Sequence, residues 1–254
     1  MKKVYDEIVK FMITSGKRIV KRAGKIKDIG VAKKDLTEED LAIERGLKEI
    51  IQKHYPSHQF FAEEEHDSLP KGDDIWIADP ISGTRAFLDG LPHYGIVIAY
   101  AKNKVVQFSA VYDPSVDELF IAFKGEGAFL NGKKISVSDK KKPKVIFNLS
   151  KAWKDGKSSK KMTAELEKFT LIRNRNSHAV NMGYVACGRV DGIVSFCKDS
   201  FPSFAGSLLI QEAGGVFTND KGDSYLHYED RVFIGGSKGF YEKLSKILQR
   251  VSFL

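Results

Sequence analysis

Residues Trp76 to Phe87, WIADPISGTRAF, decide the fold of this chain. Ile75 to Ala78 is a short apolar run stopped by Asp79-Pro80, so a strand is expected to deliver its last residues into a loop there. Gly83-Thr84 can then present backbone N–H groups from a turn or helix start, an arrangement suited to an anion. A carboxylate at Asp79 repels a phosphate held in such a cradle unless a cation lies between them. Magnesium suits that place, because it takes oxygen ligands and keeps waters that can be activated.

On the N-terminal side, residues 1 to 54 read as two amphipathic helices. Val4, Ile8, Phe11 and Met12 share a face of the first, and Leu41, Ile43, Leu47, Ile50 and Ile51 a face of the second. Asp35 or Thr37 can cap the second helix, and the glutamates that follow suit the positive end of its dipole. On the C-terminal side, residues 94 to 130 read as an antiparallel meander: GIVIAYA, a turn at Lys102-Asn103, VVQFSAVY, a turn at Asp113-Pro114, then DELFIAF and GAFLNGKKI. Beyond it the pattern alternates. Strands are expected at Lys144–Leu149, Phe169–Arg173 and Gly192–Phe196, with helices around residues 158 to 168, from Ser177 to Cys187 and from Ser203 to Ala213. Gly214-Gly215 stops the last helix. We place a domain boundary near residue 143, giving an α+β domain over 1–143 and an α/β domain over 144–254.

The 254 residues, 42% hydrophobic and 11% aromatic, suffice for a substantial core. No apolar run approaches the roughly 20 residues that span a bilayer, so no membrane association is expected. Cys187 and Cys197 lack CxxC spacing and read as buried thiols of a cytoplasmic protein. The net charge of +8 is concentrated: Asp139 to Lys161 holds nine lysines against two aspartates. Nucleic acid is a conceivable partner for Lys140 to Lys161. Its aromatics, Phe147 and Trp153, form no recognisable binding motif, which favours a solvated lysine-rich face instead.

Chemistry gathers in four clusters: DLTEED (Asp35 to Asp40), FAEEE (Phe61 to Glu65), the opening stretch, and GSLLIQEAGG (Gly206 to Gly215). Their order resembles the inositol monophosphatase family, Mg-dependent, lithium-sensitive phosphomonoesterases. YPSHQFFAEE (55–64) is similar to the family's YPxHxxxGEE, and WIADPISGT to WxIDPxDGT. ELFIAFKGEGAFLNGKKI, NSHAVNM and the run from VDGIVSF to EAGG follow the family's later motifs. The resemblance implies a layered αβαβα sandwich, a homodimer and hydrolysis of a small phosphorylated metabolite, an inositol or sugar phosphate or a nucleotide 3′-phosphate.

By that resemblance Glu63 is a metal ligand, with Glu64 the alternative register, and it joins the catalytic group. Asp79 is a metal ligand, as is the backbone carbonyl of Ile81. Asp40 and Thr84 orient and deprotonate the attacking water. Ser82, Gly83, Thr84, Ser177, His178 and Ser195 fall at substrate or phosphate positions.

Two ligand positions depart from the family. Ser82 stands where the second signature aspartate is expected, and Pro202 where the WD aspartate is expected, counting back ten residues from Glu212 or forward eleven from Asp191. Two carboxylates in place of four imply one Mg²⁺ site and a second that is weak or absent. Asp199 could compensate by a loop shift. Asn176 and His178 replace a glycine and an alanine, and Ser195 replaces an acidic residue that often contacts inositol hydroxyls. Two functions therefore stand: a phosphomonoesterase with a weakened second metal site, or a catalytically impaired member binding a metabolite, protein or nucleic acid.

Overall fold

The computed structural model describes residues 1–31, 35–64, 72–140, 142–149, 157–167, 169–173, 177–196, 201–224 and 232–250. Apolar residues at helical spacing bury one face of each leading helix: Val4, Ile8, Met12 and Ile19 in α1 (Lys2–Val20), and Ile43, Leu47 and Ile51 in α2 (Glu38–His54). Thr37 is the α2 cap, in a capping box with Asp40.

Seven strands form the first sheet in sequence order: β1 (Gln59–Ala62), β2 (Asp74–Ser82), β3 (Gly95–Lys102), β4 (Val105–Asp113), β5 (Glu118–Phe123), β6 (Gly127–Leu130) and β7 (Lys133–Ile135). The β1/β2 pair is parallel and the rest of the sheet antiparallel. The β3–β4 hairpin turns through Asn103 and Lys104, both at positive φ, as a two-residue loop requires. The expectation that the strand stops at Asp79 needs correcting, since β2 runs on through Pro80 and Ile81 to Ser82. An extra residue between Asp79 and Ser82, opposite Val97 and Gly95 of β3, makes a bulge there. Proline, which cannot donate to the ladder, is tolerated at such an irregularity.

The second sheet has the order β11–β12–β10–β8–β9, built from β8 (Lys144–Leu149), β9 (Thr170–Arg173), β10 (Gly192–Phe196), β11 (Val216–Asn219) and β12 (Val232–Gly236). Strand β12 is antiparallel to both neighbours, so the expected α/β alternation is a mixed sheet. Beyond the sequence expectation stand β1, β11 and β12, and the helices α3 (Thr84–Leu88) and α7 (Lys238–Arg250).

Three cores separate five layers. Helices α1 and α2 cover one face of the first sheet through Ile43, Leu47, Trp76, Ile98 and Phe108. Helices α5 (His178–Ala186) and α6 (Phe201–Glu212) fill the space between the sheets, where Ile77, Val111, Val180, Leu208, Ile193 and Phe233 meet. Helix α7, beside α4 (Lys157–Leu166), closes the far face over Val145, Val194 and Ile234. The first ten residues of α6 are buried, as expected of a helix enclosed on every side. The result is the layered αβαβα sandwich.

Candidate active site

Four chain segments converge where β1, β2 and the starts of α2 and α5 meet. At the α2 start, Asp40 is fully buried. Its Oδ2 accepts from the Thr37 backbone N–H at 2.8 Å and from the Thr37 hydroxyl. Its Oδ1 is buried without a hydrogen-bond partner among the described residues. Burial, and behind it the nearby Glu64 and Glu63 carboxylates, pushes Asp40 up to about 8 against the pull of Thr37. Alongside, Arg18 Nε donates to Glu39 at 2.8 Å and Arg22 Nη1 at 2.6 Å, pinning α1 to the first turn of α2. Glu39 is nearly buried, a role that its place in an acidic run disguises.

Glu63 follows β1, and its N–H donates to the Ala78 carbonyl at 3.2 Å, one residue before the buried Asp79. The parallel pairing of β1 with β2 thus sets Glu63 beside Asp79. Past the bulge, the Thr84 hydroxyl donates to the Ile81 carbonyl at 2.8 Å. Gly83 turns the chain with φ at +87°, and a β-carbon there would lie 2.9 Å from the Ser177 nitrogen. Only glycine lets the α5 start approach this loop so closely.

Ser177 caps α5, its Oγ accepting from the Val180 N–H at 3.2 Å, and its own N–H donates to the His93 carbonyl at 2.9 Å. His178 is the first residue of the helix. Its Nδ1 lies 3.2 Å from Ser195 Oγ, and its Nε2 is bonded by the Asn148 side chain. Ser195 on β10 and Asn148 on β8 are register partners, so the sheet presents both to one ring. Burial pushes His178 down to about 4. Ser195, expected at a substrate position, is fully buried. The sequence reading missed Asn148; a polar residue interrupting the apolar strand KVIFNL was its signal.

The α6 start lies against the same site, with Phe201 stacked on Phe61 at 4.6 Å between ring centroids, two residues before Glu63. Pro202 sits buried in that first turn, where its missing N–H costs nothing to the helix. It offers no side-chain donor, and Ser82, also buried, offers a hydroxyl.

Whether these residues fit a hard divalent cation is decided by the donor set. Glu63, Asp79 and the Ile81 carbonyl are oxygen donors of the kind Mg²⁺ takes, and the unsatisfied Asp40 Oδ1 beside two further carboxylates suits a cation-bound water. Among the described residues no three acid, histidine or cysteine side chains could hold a metal unaided.

Other candidates resolve differently. Glu212 of EAGG is structural: it accepts from the N–H groups of Gly125 at 2.9 Å and Gly127 at 3.0 Å, clamping the β5–β6 turn. Cys187 is half-buried where full burial was expected, with its thiol pushed up by what burial there is. Cys197, Asp199, Asn176 and Glu65 lie outside the described residues, as do Lys141 and residues 150–156 of the lysine-rich stretch. Lys140 donates to the Gly188 carbonyl at 3.3 Å. Among the described residues no helix is long and apolar enough to cross a membrane.

Comparison with known proteins places the chain in a family. A family model described as the inositol monophosphatase family matches residues 1–252. The Nus factor SuhB of Haemophilus influenzae is 35% identical over 219 residues, 84% of this chain and 82% of that protein. Human inositol monophosphatase 1 is 29% identical over 226 residues, 84% of this chain and 81% of its own. Among solved structures, the Thermotoga maritima IMPase superposes with a TM-score of 0.84 at 28% identity, covering 99% of this chain and 98% of that one.

Proposed function

Because the chain belongs to the inositol monophosphatase family, whose members act with Mg²⁺ on small phosphorylated metabolites, we propose that it hydrolyses a small phosphate monoester with one dominant metal site. The observation that carries this reading is the buried Asp40 Oδ1, without a hydrogen-bond partner among the described residues, near converging carboxylates. Glu63, Asp79 and the Ile81 carbonyl would hold the ion. Bound there, Mg²⁺ supplies charge neutralisation between carboxylates and phosphate and acidifies a coordinated water.

This chain's own residues do the rest. Backbone N–H groups of Gly83 and Thr84 hold phosphate oxygens. The Thr84 hydroxyl, oriented by its bond to Ile81, and Asp40 Oδ1 align a water and receive its proton. The water oxygen bonds to phosphorus as the ester P–O bond breaks, and the leaving alkoxide takes a proton from solvent water to depart as the alcohol. Ser82 and Pro202 leave that departing oxygen without the electrostatic support two aspartate ligands would anchor, which lowers the rate. Family resemblance also supports a homodimer, the cysteine pattern a cytoplasmic setting, and the lysine-rich stretch a division near residue 143.

Pro202 favours one second reading, a catalytically impaired member that binds its ligand without turnover. Phosphate release from sugar phosphates, inositol phosphates and adenosine 3′,5′-bisphosphate, across a Mg²⁺ titration, separates the two. Turnover above ~1 s⁻¹ that Asp79→Asn abolishes supports the esterase. No turnover in the native chain, with activity appearing in Ser82→Asp/Pro202→Asp, establishes the impaired member.

A further inference from the structure

His93 ties the start of α5 to the loop at Gly83 and Thr84, and its role is inferred here on the reading that this loop holds phosphate. Its backbone has φ at +67°, a left-handed conformation that is costly for a residue with a β-carbon and persists where the surroundings fix it. Both backbone polar groups are held: the N–H donates to Ser115 Oγ at 3.2 Å, and the carbonyl accepts from the Ser177 N–H at 2.9 Å. The side chain is held as well, with Nδ1 2.8 Å from the Tyr184 hydroxyl and 3.3 Å from Asp113 Oδ2. Asp113 is fully buried, and its Oδ1 accepts from the Ser115 N–H at 2.9 Å and from the Ser115 hydroxyl. Tyr184 is covered in turn by the Arg189 guanidinium, 5.1 Å from its ring centroid, which pairs with Glu118 at 2.6 Å.

Two of these contacts reach the same helix. Ser177 caps α5, and Tyr184 lies about two turns further along it. Anchors at both places fix where α5 begins and how it is rotated. What faces that beginning is the Gly83 loop, since a β-carbon on Gly83 would lie 2.9 Å from the Ser177 nitrogen. Gly95, just after His93 in the chain, is the register partner of Ser82, just before Gly83. We propose that His93 is a positioning residue for phosphate binding: locked by Asp113, Ser115 and Tyr184, its carbonyl holds Ser177 and the start of α5 against the Gly83–Thr84 loop, which keeps the loop N–H groups aimed at phosphate. The candidate metal ligands Glu63 and Asp79 are set by the β1–β2 pairing, outside this clamp.

The test measures inorganic phosphate affinity by calorimetry on the full chain with Mg²⁺, Mg²⁺ affinity alone, and hydrogen exchange of the Ser177 amide. His93→Ala is expected to weaken phosphate about tenfold, the scale of one lost hydrogen bond to a charged group, to speed Ser177 exchange and to leave Mg²⁺ affinity within about twofold. His93→Asn, which accepts a left-handed backbone and keeps an amide donor for Asp113, should restore most of the affinity. Tyr184→Phe removes a single hydroxyl and should shift phosphate affinity and Ser177 exchange in the same direction. If His93→Ala does not fold, Tyr184→Phe decides, and native values of both quantities there overturn the proposal. Glu212→Ala controls for lost stability and should bind phosphate as the native chain does. Native phosphate affinity in folded His93→Ala, or an equal loss in Glu212→Ala, overturns the proposal. Ester hydrolysis with phosphate affinity unmoved by His93→Ala sinks this inference and leaves the esterase standing. Phosphate bound with no ester hydrolysed, and affinity lost in His93→Ala, does the reverse. A native chain that binds no phosphate removes both.

Discussion

Thr37 and Asp40 cap one another at the start of α2: the Thr37 N–H donates to Asp40 Oδ2 at 2.8 Å, and the Asp40 N–H donates back to Thr37 Oγ1 at 3.4 Å. The residue assigned to proton transfer is thus also the residue that fixes its own helix. Burial holds the Asp40 carboxyl up at about 8, well above the ordinary carboxylate range. The folded state binds a proton that the unfolded state releases, so stability is greatest below pH ~4 and falls as pH rises toward 8. In chelator-treated protein the urea midpoint is expected to drop between pH 5 and pH 8, to recover on adding Mg²⁺ at pH 8, and to lose this slope in Asp40→Asn.

Thr84 offers a cleaner separation of catalysis from stability. Its hydroxyl makes one bond, to the Ile81 carbonyl at 2.8 Å. Thr84→Val keeps the shape and removes that bond, a loss of about 1 kcal/mol in unfolding free energy. Removing a group that orients the water should lower kcat by about 10²- to 10⁴-fold. Thr84→Ser is expected to retain most of the rate. Phosphate release beside urea denaturation checks both quantities.

At Gly83, conformation and space act together. The backbone sits at φ +87° and a β-carbon would meet the Ser177 nitrogen at 2.9 Å. Left-handed backbone costs alanine about 1–2 kcal/mol, and the crowding adds to that by pushing α5 away from the loop. Gly83→Ala should therefore lose both stability and phosphate affinity, read as a lower melting temperature and a weaker inhibition by inorganic phosphate.

Glu212 should matter for folding and hardly for chemistry. Its carboxylate accepts two backbone N–H bonds, at Gly125 and Gly127, with its side chain 10% exposed, while its ion pair to the half-exposed Lys124 spans 3.6 Å. Charged hydrogen bonds in such a setting set the scale, so Glu212→Ala is expected to cost about 3 kcal/mol. Lys124→Ala should cost less than about 1 kcal/mol. Urea midpoints of the two variants test the ordering, and turnover per folded molecule should stay near that of the native chain.

Helices α1 and α2, the meander from β3 to β7 and strands β8 and β10 were legible in the sequence, because each carries an apolar period long enough to identify its type. The ordered motifs around Glu63, Asp79, Gly83 and Glu212 carried the family, with Ser82 and Pro202 marking the departure. Strands β1, β11 and β12 were not legible, although β10 is no longer than β12, because their strand character comes from pairing with a neighbour and no local pattern marks it. Nor was the course of β2 through Pro80: a proline reads as a stop until a bulge opposite Val97 and Gly95 removes the need for its N–H.

What the sequence by itself determined is the layered fold and the family, because both rest on residue types at fixed spacing. Only the tertiary structure decided what those residues do to one another. Glu63 comes beside Asp79 through the parallel β1–β2 pairing, and EAGG becomes a clamp through contacts 85 and 87 residues apart in the chain. His178 loses its freedom to Asn148, 30 residues away, and Ser195, 17 residues away. Burial and partner geometry set the protonation of Asp40 and His178, and neither exists until distant strands and helices have packed.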